Sequence, residues 1–144
     1  MASAKECLTE VAAKSLPAVA KRGAPSYLHS VKNTISLKRN YEFRRLYNRG
    51  KSAGSKCVVI YCMKTGSPEN RLGITVSSKL GGAVQRNRIR RRLKEIYRLN
   101  EHSLHVGYDI VIVARMRCRY ATWSEIESSV LSLLKKLNLI SKFP

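Results

Sequence analysis

Residues 83–98 read AVQRNRIRRRLKEIYR and combine an apolar stripe with a dense run of positive charge. The apolar residues fall at i, i+4, i+7 and i+8, which is the spacing of one buried face on a helix. They are Ile89, Leu93, Ile96 and Tyr97. The other twelve positions include seven arginines and lysines and a single acid. The stretch therefore predicts an amphipathic helix that packs on a core and presents cations to a polyanion.

The whole chain is strongly basic. Its 144 residues include 28 Lys and Arg against 9 Asp and Glu, a formal net charge of +19. So many cations cannot be paired mainly within the chain, so nucleic acid is the favoured partner and an anionic membrane surface is the alternative. The sequence contains no run of eighteen apolar residues, which argues against a membrane span. Length and an apolar content of 44% predict one soluble domain with a real core.

Cysteines and histidines give no pattern typical of a metal site. The cysteines are scattered and lack paired C-x-x-C spacing; they are Cys7, Cys57, Cys62 and Cys118. This usage favours a reduced, metal-free chain with a cytoplasmic location. His102 and His105 are spaced for chelation at i, i+3, but they fall where the basic helix should end, so we do not interpret them as ligands.

Residues 1–34 are expected to form a poorly ordered basic extension. Prolines, glycine and small residues interrupt the segment, which holds five Lys or Arg and two Glu. An initiation codon placed too far upstream, an RNA-contacting arm and an organellar transit peptide are alternatives, although the Arg-rich amphipathic signature of the last is missing. The domain itself is predicted to span residues 35–144.

Periodicity and turn signals predict six elements in that domain. They are a helix capped by Asn40 and stopped by Gly50, strands at 57–63 and 71–77, the basic helix at 83–100, a strand at 108–114, and a helix that Thr122 and Glu125 begin with a capping box. The first two strands are expected to pair as an antiparallel hairpin. The order αββαβα then predicts an α+β two-layer α/β sandwich with a sheet of three or four strands.

Acidic residues are too dispersed to support catalysis by the protein. Five acidic residues lie between positions 35 and 114, and they fall on different predicted elements. They are Glu42, Glu69, Glu95, Glu101 and Asp109. Clustered carboxylates for magnesium, or a histidine pair for acid and base work, are what a self-sufficient nuclease would need. We therefore predict a binding protein with no catalytic residues and no metal ligands.

Two surfaces are candidates for binding. Arg86 and Arg88 flank Asn87 where the basic helix begins, so free backbone N–H groups and the helix dipole add to guanidinium groups that fork onto phosphate. A merely solvated basic helix is the alternative. The second surface consists of aromatic residues able to stack on single-stranded bases, although helical spacing also suits Phe43 and Tyr47 to a core. Its members are Tyr41, Phe43, Tyr47 and Tyr61.

Linked motifs resemble the bacterial ribonuclease P protein component. Residues 73–84 read GITVSSKLGGAV and are followed in register by Arg86-Asn87-Arg88 and the pair Arg90-Arg91. The upstream motifs are Leu37-Lys38-Arg39 before Phe43, then Leu46-Tyr47 and Gly50-Lys51, and the strand at 108–115 completes the match. Ser78 departs from the family pattern, in which a second lysine is common before Lys79.

The resemblance implies a ribonucleoprotein endonuclease that removes the 5′ leader of precursor tRNA. Its RNA subunit would supply the active site and the Mg²⁺ ions, with one protein monomer per RNA. The positions implied to bind the catalytic RNA are Arg86, Asn87, Arg88, Arg90, Arg91, Lys94 and Lys79. Those implied to line a cleft for the leader are Phe43, Tyr47, Tyr61 and Lys56. The resemblance also implies a left-handed βαβ crossover, against the general rule of handedness.

Two other functions remain open at this point. A structural RNA-binding protein, such as a ribosomal component, would share the basicity and a comparable α+β fold. A protein-only nuclease would cleave without an RNA subunit, and the missing acid cluster argues against it.

Overall fold

A mixed five-stranded sheet organises the residues that the computed structural model describes, 34–140. In chain order the elements are β1 (Thr34–Ser36), α1 (Asn40–Arg49), β2 (Lys51–Gly54), β3 (Val58–Lys64), β4 (Asn70–Val76), α2 (Ala83–Asn100), β5 (Tyr108–Ala114) and α3 (Trp123–Lys136). Short 3₁₀ turns lie at Ser78–Leu80, Glu101–Ser103 and Met116–Arg119. The predicted N-terminal extension lies outside the described residues except for Thr34, which begins β1.

Strand β5 lies in the middle of the sheet, whose order is β1-β4-β5-β3-β2. It pairs parallel with β4 and antiparallel with β3, and Ile112 stands opposite Ile74 on one side and Ile60 on the other. The predicted hairpin between β3 and β4 is therefore wrong. After β3 the chain bonds to the segment that precedes β5, because the amides of Thr65 and Gly66 donate to the carbonyl of Gly107 at 2.9 and 3.3 Å.

The six predicted elements are all present, and β1 and β2 are added to them. Both additional strands are short edge strands of three and four residues. Neither has the alternation of apolar residues that predicts a strand from sequence. The N-cap of α1 is Arg39 rather than Asn40, since the Arg39 amide donates to the Glu42 carboxylate at 3.2 Å.

The main core lies between one sheet face and the two longer helices. The predicted stripe of α2 is buried as expected, with Leu93 and Ile96 fully enclosed. The Thr122–Glu125 capping box is also confirmed at the start of α3. Strands β4 and β5 are joined through α2, which makes them a βαβ unit. The hand of this crossover stays a prediction from the resemblance.

Helix α1 packs on the other face of the sheet and forms a smaller core there. Leu37, Leu46 and Val111 are buried in it. The partly buried side chains of Phe43, Tyr61, Met63 and Val113 surround them. The two sheet faces thus pack against different helices, and the surface beside α1 is separated by the sheet from the basic helix α2.

Candidate nucleic-acid interface

The N-terminus of α2 is open to solvent. Gly82 is the N-cap and makes no side-chain capping hydrogen bond, and Val84 in the first turn is 82% exposed. Gly81 has a φ of +128°, a conformation that suits glycine far better than any other residue. The guanidinium of Arg86 donates to the Gly81 carbonyl at 3.2 Å and braces this turn. Backbone amides and the positive end of the helix dipole therefore face solvent on a fixed turn.

A row of cations continues along the exposed side of α2. A shallow concave surface there, the arginine groove, is lined by Val84, Asn87, Arg88, Arg91 and Arg92. All five lining residues are neutral or cationic. The Asn87 amide oxygen accepts a hydrogen bond from Arg90 at 3.0 Å, which brings Arg90 to the rim. The groove thus brings three of the seven positions predicted to contact the catalytic RNA, Asn87, Arg88 and Arg91, together on one helix face.

The single acid of α2 acts at the other end of the helix. Glu95 accepts hydrogen bonds from Nε and Nη2 of Arg98 at 3.0 and 2.6 Å. This pair raises the pKa of Arg98 through the hydrogen bond and the charge of Glu95. Glu95 therefore offsets the charge of Arg98 near the C-terminal end of α2.

On the opposite sheet face, three aromatic rings lie close together at the positions that the resemblance implies for the leader cleft. The Phe43 ring lies directly over Gly73, where a β-carbon would stand only 2.5 Å from ring carbon Cε1. Tyr47 and Tyr61 meet edge to face, with ring centroids 4.9 Å apart. The Tyr47 hydroxyl is 3.1 Å from Oγ1 of Thr75. Tyr47 is 39% exposed, so the rings are both packed and accessible from solvent.

An ion-pair network fixes α1 above the sheet. Arg71 on β4 donates two hydrogen bonds to the buried carboxylate of Asp109 on β5, that from Nε measuring 2.6 Å. Its Nη1 donates to Glu42 on α1 at 2.8 Å. The hydrogen bond to Asp109 raises the pKa of Arg71, with smaller contributions from the charges of Asp109 and Glu42. These contacts set the height of α1 and hence the position of the Phe43 ring over Gly73.

A basic pocket lies where the parallel strands β4 and β5 end. Its cations are Lys56, Lys79, Arg115 and Arg117, and its floor includes Leu80, Ala114 and Met116. Arg115 donates from Nη1 to the Ser55 carbonyl at 3.1 Å. A β-carbon at Gly54 would stand 3.6 Å from both Arg115 Nη2 and Val59 Cγ2. Val59 and Tyr61 are two residues apart on β3, so their side chains point to the same sheet face. Because Arg115 lies beside Gly54 and Val59, it is on the sheet face that carries the aromatic rings.

The family model described as ribonuclease P matches residues 31–138. The chain belongs to the ribonuclease P protein family. It is 45% identical to the ribonuclease P protein component of Alkaliphilus metalliredigens over 105 residues, which cover 73% of this chain and 95% of that protein. It is 44% identical to that of Clostridioides difficile over 107 residues, covering 74% of this chain and 94% of that protein.

Solved structures of ribonuclease P proteins share the fold. The Staphylococcus aureus protein matches with a TM-score of 0.68 and 32% identity, covering 74% of this chain and 97% of that one. The Thermotoga maritima protein matches with a TM-score of 0.65 and 30% identity, covering 70% and 96%. The α+β prediction is thereby confirmed as the fold of the ribonuclease P protein family.

Within this family fold, the predicted residues fall into three groups. The predicted residues from 86 to 94 share α2, the three aromatic residues lie close together on the opposite sheet face, and Lys56 and Lys79 meet in the basic pocket. Arg115 and Arg117 were absent from the predicted site. In the sequence, Arg115 directly follows the apolar strand at 108–114 and Arg117 lies two positions later. This placement indicates a site only when β4 and β5 are known to be parallel neighbours, whose ends meet at one edge of the sheet.

Proposed function

We propose that this chain docks on the catalytic RNA of ribonuclease P through α2 and holds the 5′ leader of precursor tRNA in the cleft beside α1. One observation carries the proposal: a cationic helix surface and an aromatic cleft occupy opposite faces of one sheet. Two RNA segments can therefore contact the protein at once. This arrangement supports endonucleolytic removal of the leader by the assembled ribonucleoprotein.

Docking through α2 rests on the composition of the arginine groove. Arg88 and Arg91 are exposed, and planar guanidinium groups can bind phosphate oxygens through two parallel hydrogen bonds. The open N-terminus of the helix adds backbone donors and a partial positive charge. Folded RNA is recognised largely through its backbone and shape, which such a surface fits. Lys94 and Arg90 extend the same contact.

Leader binding rests on the exposed portions of the cleft rings. Aromatic side chains stack on single-stranded bases with little regard to sequence, and each stacked base contributes about 1–3 kcal/mol. Tyr47 and Tyr61 form such a platform, and Phe43 supports it from the helix side. Arg115 lies on the same sheet face as these rings, and the cations that share its pocket, Lys56 among them, are assigned to the leader phosphates.

The described residues do not fit a magnesium site of their own. Within residues 34–140, no three His, Cys, Asp or Glu side chains gather closely enough to hold a metal ion. Glu42 and Asp109 are both engaged by Arg71. We therefore assign catalysis and Mg²⁺ to the RNA subunit and the substrate, with no catalytic residue on the protein.

A cytoplasmic protein monomer, one copy per RNA, completes the proposal. Within residues 34–140, none of the helices has the length and apolarity required to cross a bilayer.

The test is reconstitution of the full chain with the cognate RNA subunit. The complex should bind precursor tRNA more tightly than mature tRNA, and it should cleave the leader at low magnesium concentration. Replacing Tyr47 and Tyr61 by alanine should reduce the difference between the two affinities while leaving mature tRNA binding unchanged. Equal affinities of the unaltered complex would refute leader binding and would instead fit a structural RNA-binding protein.

Docking through α2 is tested by the salt dependence of RNA binding. The Arg88→Ala/Arg91→Ala variant should bind the RNA subunit less tightly, with the slope of log K against log salt reduced by about 0.7–0.9 per lost phosphate contact. Arg98→Ala is the matched control on the same helix, because Arg98 is paired with Glu95. An equal effect of the control would contradict a contact specific to the arginine groove.

A further inference from the structure

Two aromatic side chains are exposed on the turn between β5 and α3. Tyr120 is 77% exposed and Trp123, the first residue of α3, is 36% exposed. The Arg119 guanidinium lies 5.4 Å from the centroid of the Tyr120 ring. We call Arg119, Tyr120 and Trp123 the aromatic turn. Large aromatic rings at the surface next to cations are enriched where proteins bind partners.

The backbone of this turn is held in place from several directions. Cys118 is fully buried, and the amides of Cys118 and Tyr120 donate to Arg115 and Arg117 carbonyls at 2.9 and 3.1 Å. The Arg115 amide in turn donates to the Cys57 carbonyl at 2.9 Å. A ring presented from a fixed backbone loses little conformational freedom when it is bound. The exposure of Tyr120 is therefore a property of the folded turn.

The aromatic turn adjoins the arginine groove on α2. Arg92, which lines the groove, donates a hydrogen bond to the carbonyl of Ala121 at 3.5 Å. Ala121 directly follows Tyr120 and lies two positions before Trp123. The nearest acid in sequence, Glu125, is engaged on its own helix: it accepts hydrogen bonds from the amide and hydroxyl of Thr122, which lower its pKa. The aromatic turn thus borders the arginine groove through Arg92.

We propose that Tyr120 and Trp123 stack on unpaired nucleotides of the catalytic RNA whose backbone lies along the arginine groove. This assignment rests on the proposed function and extends the docking surface of α2 onto α3. Phosphates of the RNA bind Arg88 and Arg91, and unpaired bases that project from the RNA backbone stack on the rings of Tyr120 and Trp123. The occupant is RNA rather than an apolar protein face, because the Arg119 guanidinium lies against the Tyr120 ring and that of Arg92 reaches the neighbouring Ala121 carbonyl, and desolvating these charges against apolar surface would be unfavourable.

Binding of Tyr120→Ala to the RNA subunit, measured across a salt titration, tests the assignment. We expect the affinity to fall about 5- to 100-fold, the range for loss of one stacked base. The slope of log K against log salt should remain that of the unaltered protein, because stacking releases no counterions. Tyr120→Phe should retain the affinity and Tyr120→Leu should lose it, since only the former keeps a flat ring. At the second position, Trp123→Tyr should likewise retain the affinity because it keeps a flat ring, and Trp123→Ala should lose it.

Tyr41 provides the matched control. It is 59% exposed and also lies near an arginine, with Arg39 5.9 Å from its ring centroid, but it is in the first turn of α1 and, unlike Tyr47, takes no part in the ring contact with Tyr61, so it lies outside both proposed RNA surfaces. Tyr41→Ala should leave affinity for the RNA subunit unchanged. Unaltered affinity of Tyr120→Ala would overturn the assignment, as would a loss of affinity with a reduced salt slope, or a change in self-association by sedimentation without an effect on RNA. If the unaltered chain itself fails to bind the RNA subunit, the proposed function falls; if it binds and Tyr120→Ala binds equally, only the stacking assignment falls.

Discussion

Replacing Gly73 by alanine tests how the cleft is built. The new β-carbon would lie 2.5 and 2.9 Å from Cε1 and Cζ of Phe43, whereas carbon atoms pack best at about 3.5–4.0 Å. The ring must therefore retreat from the sheet by about 1 Å, and overpacking of this kind costs about 1–3 kcal/mol. A further contact of 3.1 Å with Val111 Cγ2 needs only a small adjustment. We expect urea unfolding to show a free energy of unfolding lowered by this amount, with an unchanged m-value.

A double-mutant cycle identifies the partner of the clash. With Phe43 also replaced by alanine, Gly73→Ala should be close to neutral or stabilising by up to about 1 kcal/mol, because alanine restricts the unfolded chain more than glycine does. Gly54→Ala is the control on the same sheet face, where the β-carbon would make only ordinary contacts of 3.6 Å. An equal cost of Gly73→Ala in both backgrounds would refute the seating of Phe43 on Gly73. The single variant should also bind precursor tRNA less selectively, since its displaced ring enters the cleft.

Three further predictions concern the scaffold. Arg71→Ala should lower the free energy of unfolding by about 3–5 kcal/mol because it leaves the buried Asp109 carboxylate unpaired, and chemical denaturation should show a smaller loss when Asp109→Asn is added. Thr122→Ala removes the capping box and should cost about 0.5–2 kcal/mol; a thermal melt identical to that of the unaltered chain would contradict this. Burial raises the pKa of the Cys118 thiol from 9.0 to about 11 and that of the Tyr97 phenol from 10.0 to about 12. The folded chain thus retains protons that the unfolded chain releases, so the stability contributed by Cys118 falls between about pH 9 and 11 and that contributed by Tyr97 falls between about pH 10 and 12, by up to about 1.4 kcal/mol per pH unit for each group. Under reducing conditions Cys118→Ala should make the free energy of unfolding fall less steeply with pH. If the variant and the unaltered chain give parallel curves of unfolding free energy against pH, the Cys118 thiol does not contribute to the decline.

Local patterns in the sequence determined the elements that carry the chemistry. The apolar spacing of α2 predicted which of its residues are buried, because a helix repeats its faces within a few residues and needs no distant partner to do so. The Thr122–Glu125 capping box was readable for the same reason. Charge and the scattered acids indicated RNA binding without protein catalysis, and the motif from Gly73 to Arg91 indicated the family that the comparisons confirm.

Tertiary structure alone decided which strands pair and which side chains therefore meet. An alternating or continuous apolar strand pattern shows that a strand is buried, but its neighbours are chosen by competition among distant backbone donors and acceptors. Strand β5 lies between β3 and β4 and pairs with both. The hairpin expected between β3 and β4, which are neighbours in sequence, therefore does not form. The same pairing brings the ends of β4 and β5 together and places Lys56 and Lys79 with Arg115 in one pocket. The sequence determined the chemistry available on each element, whereas the long-range hydrogen bonds of the sheet decided which of these groups lie together on one surface.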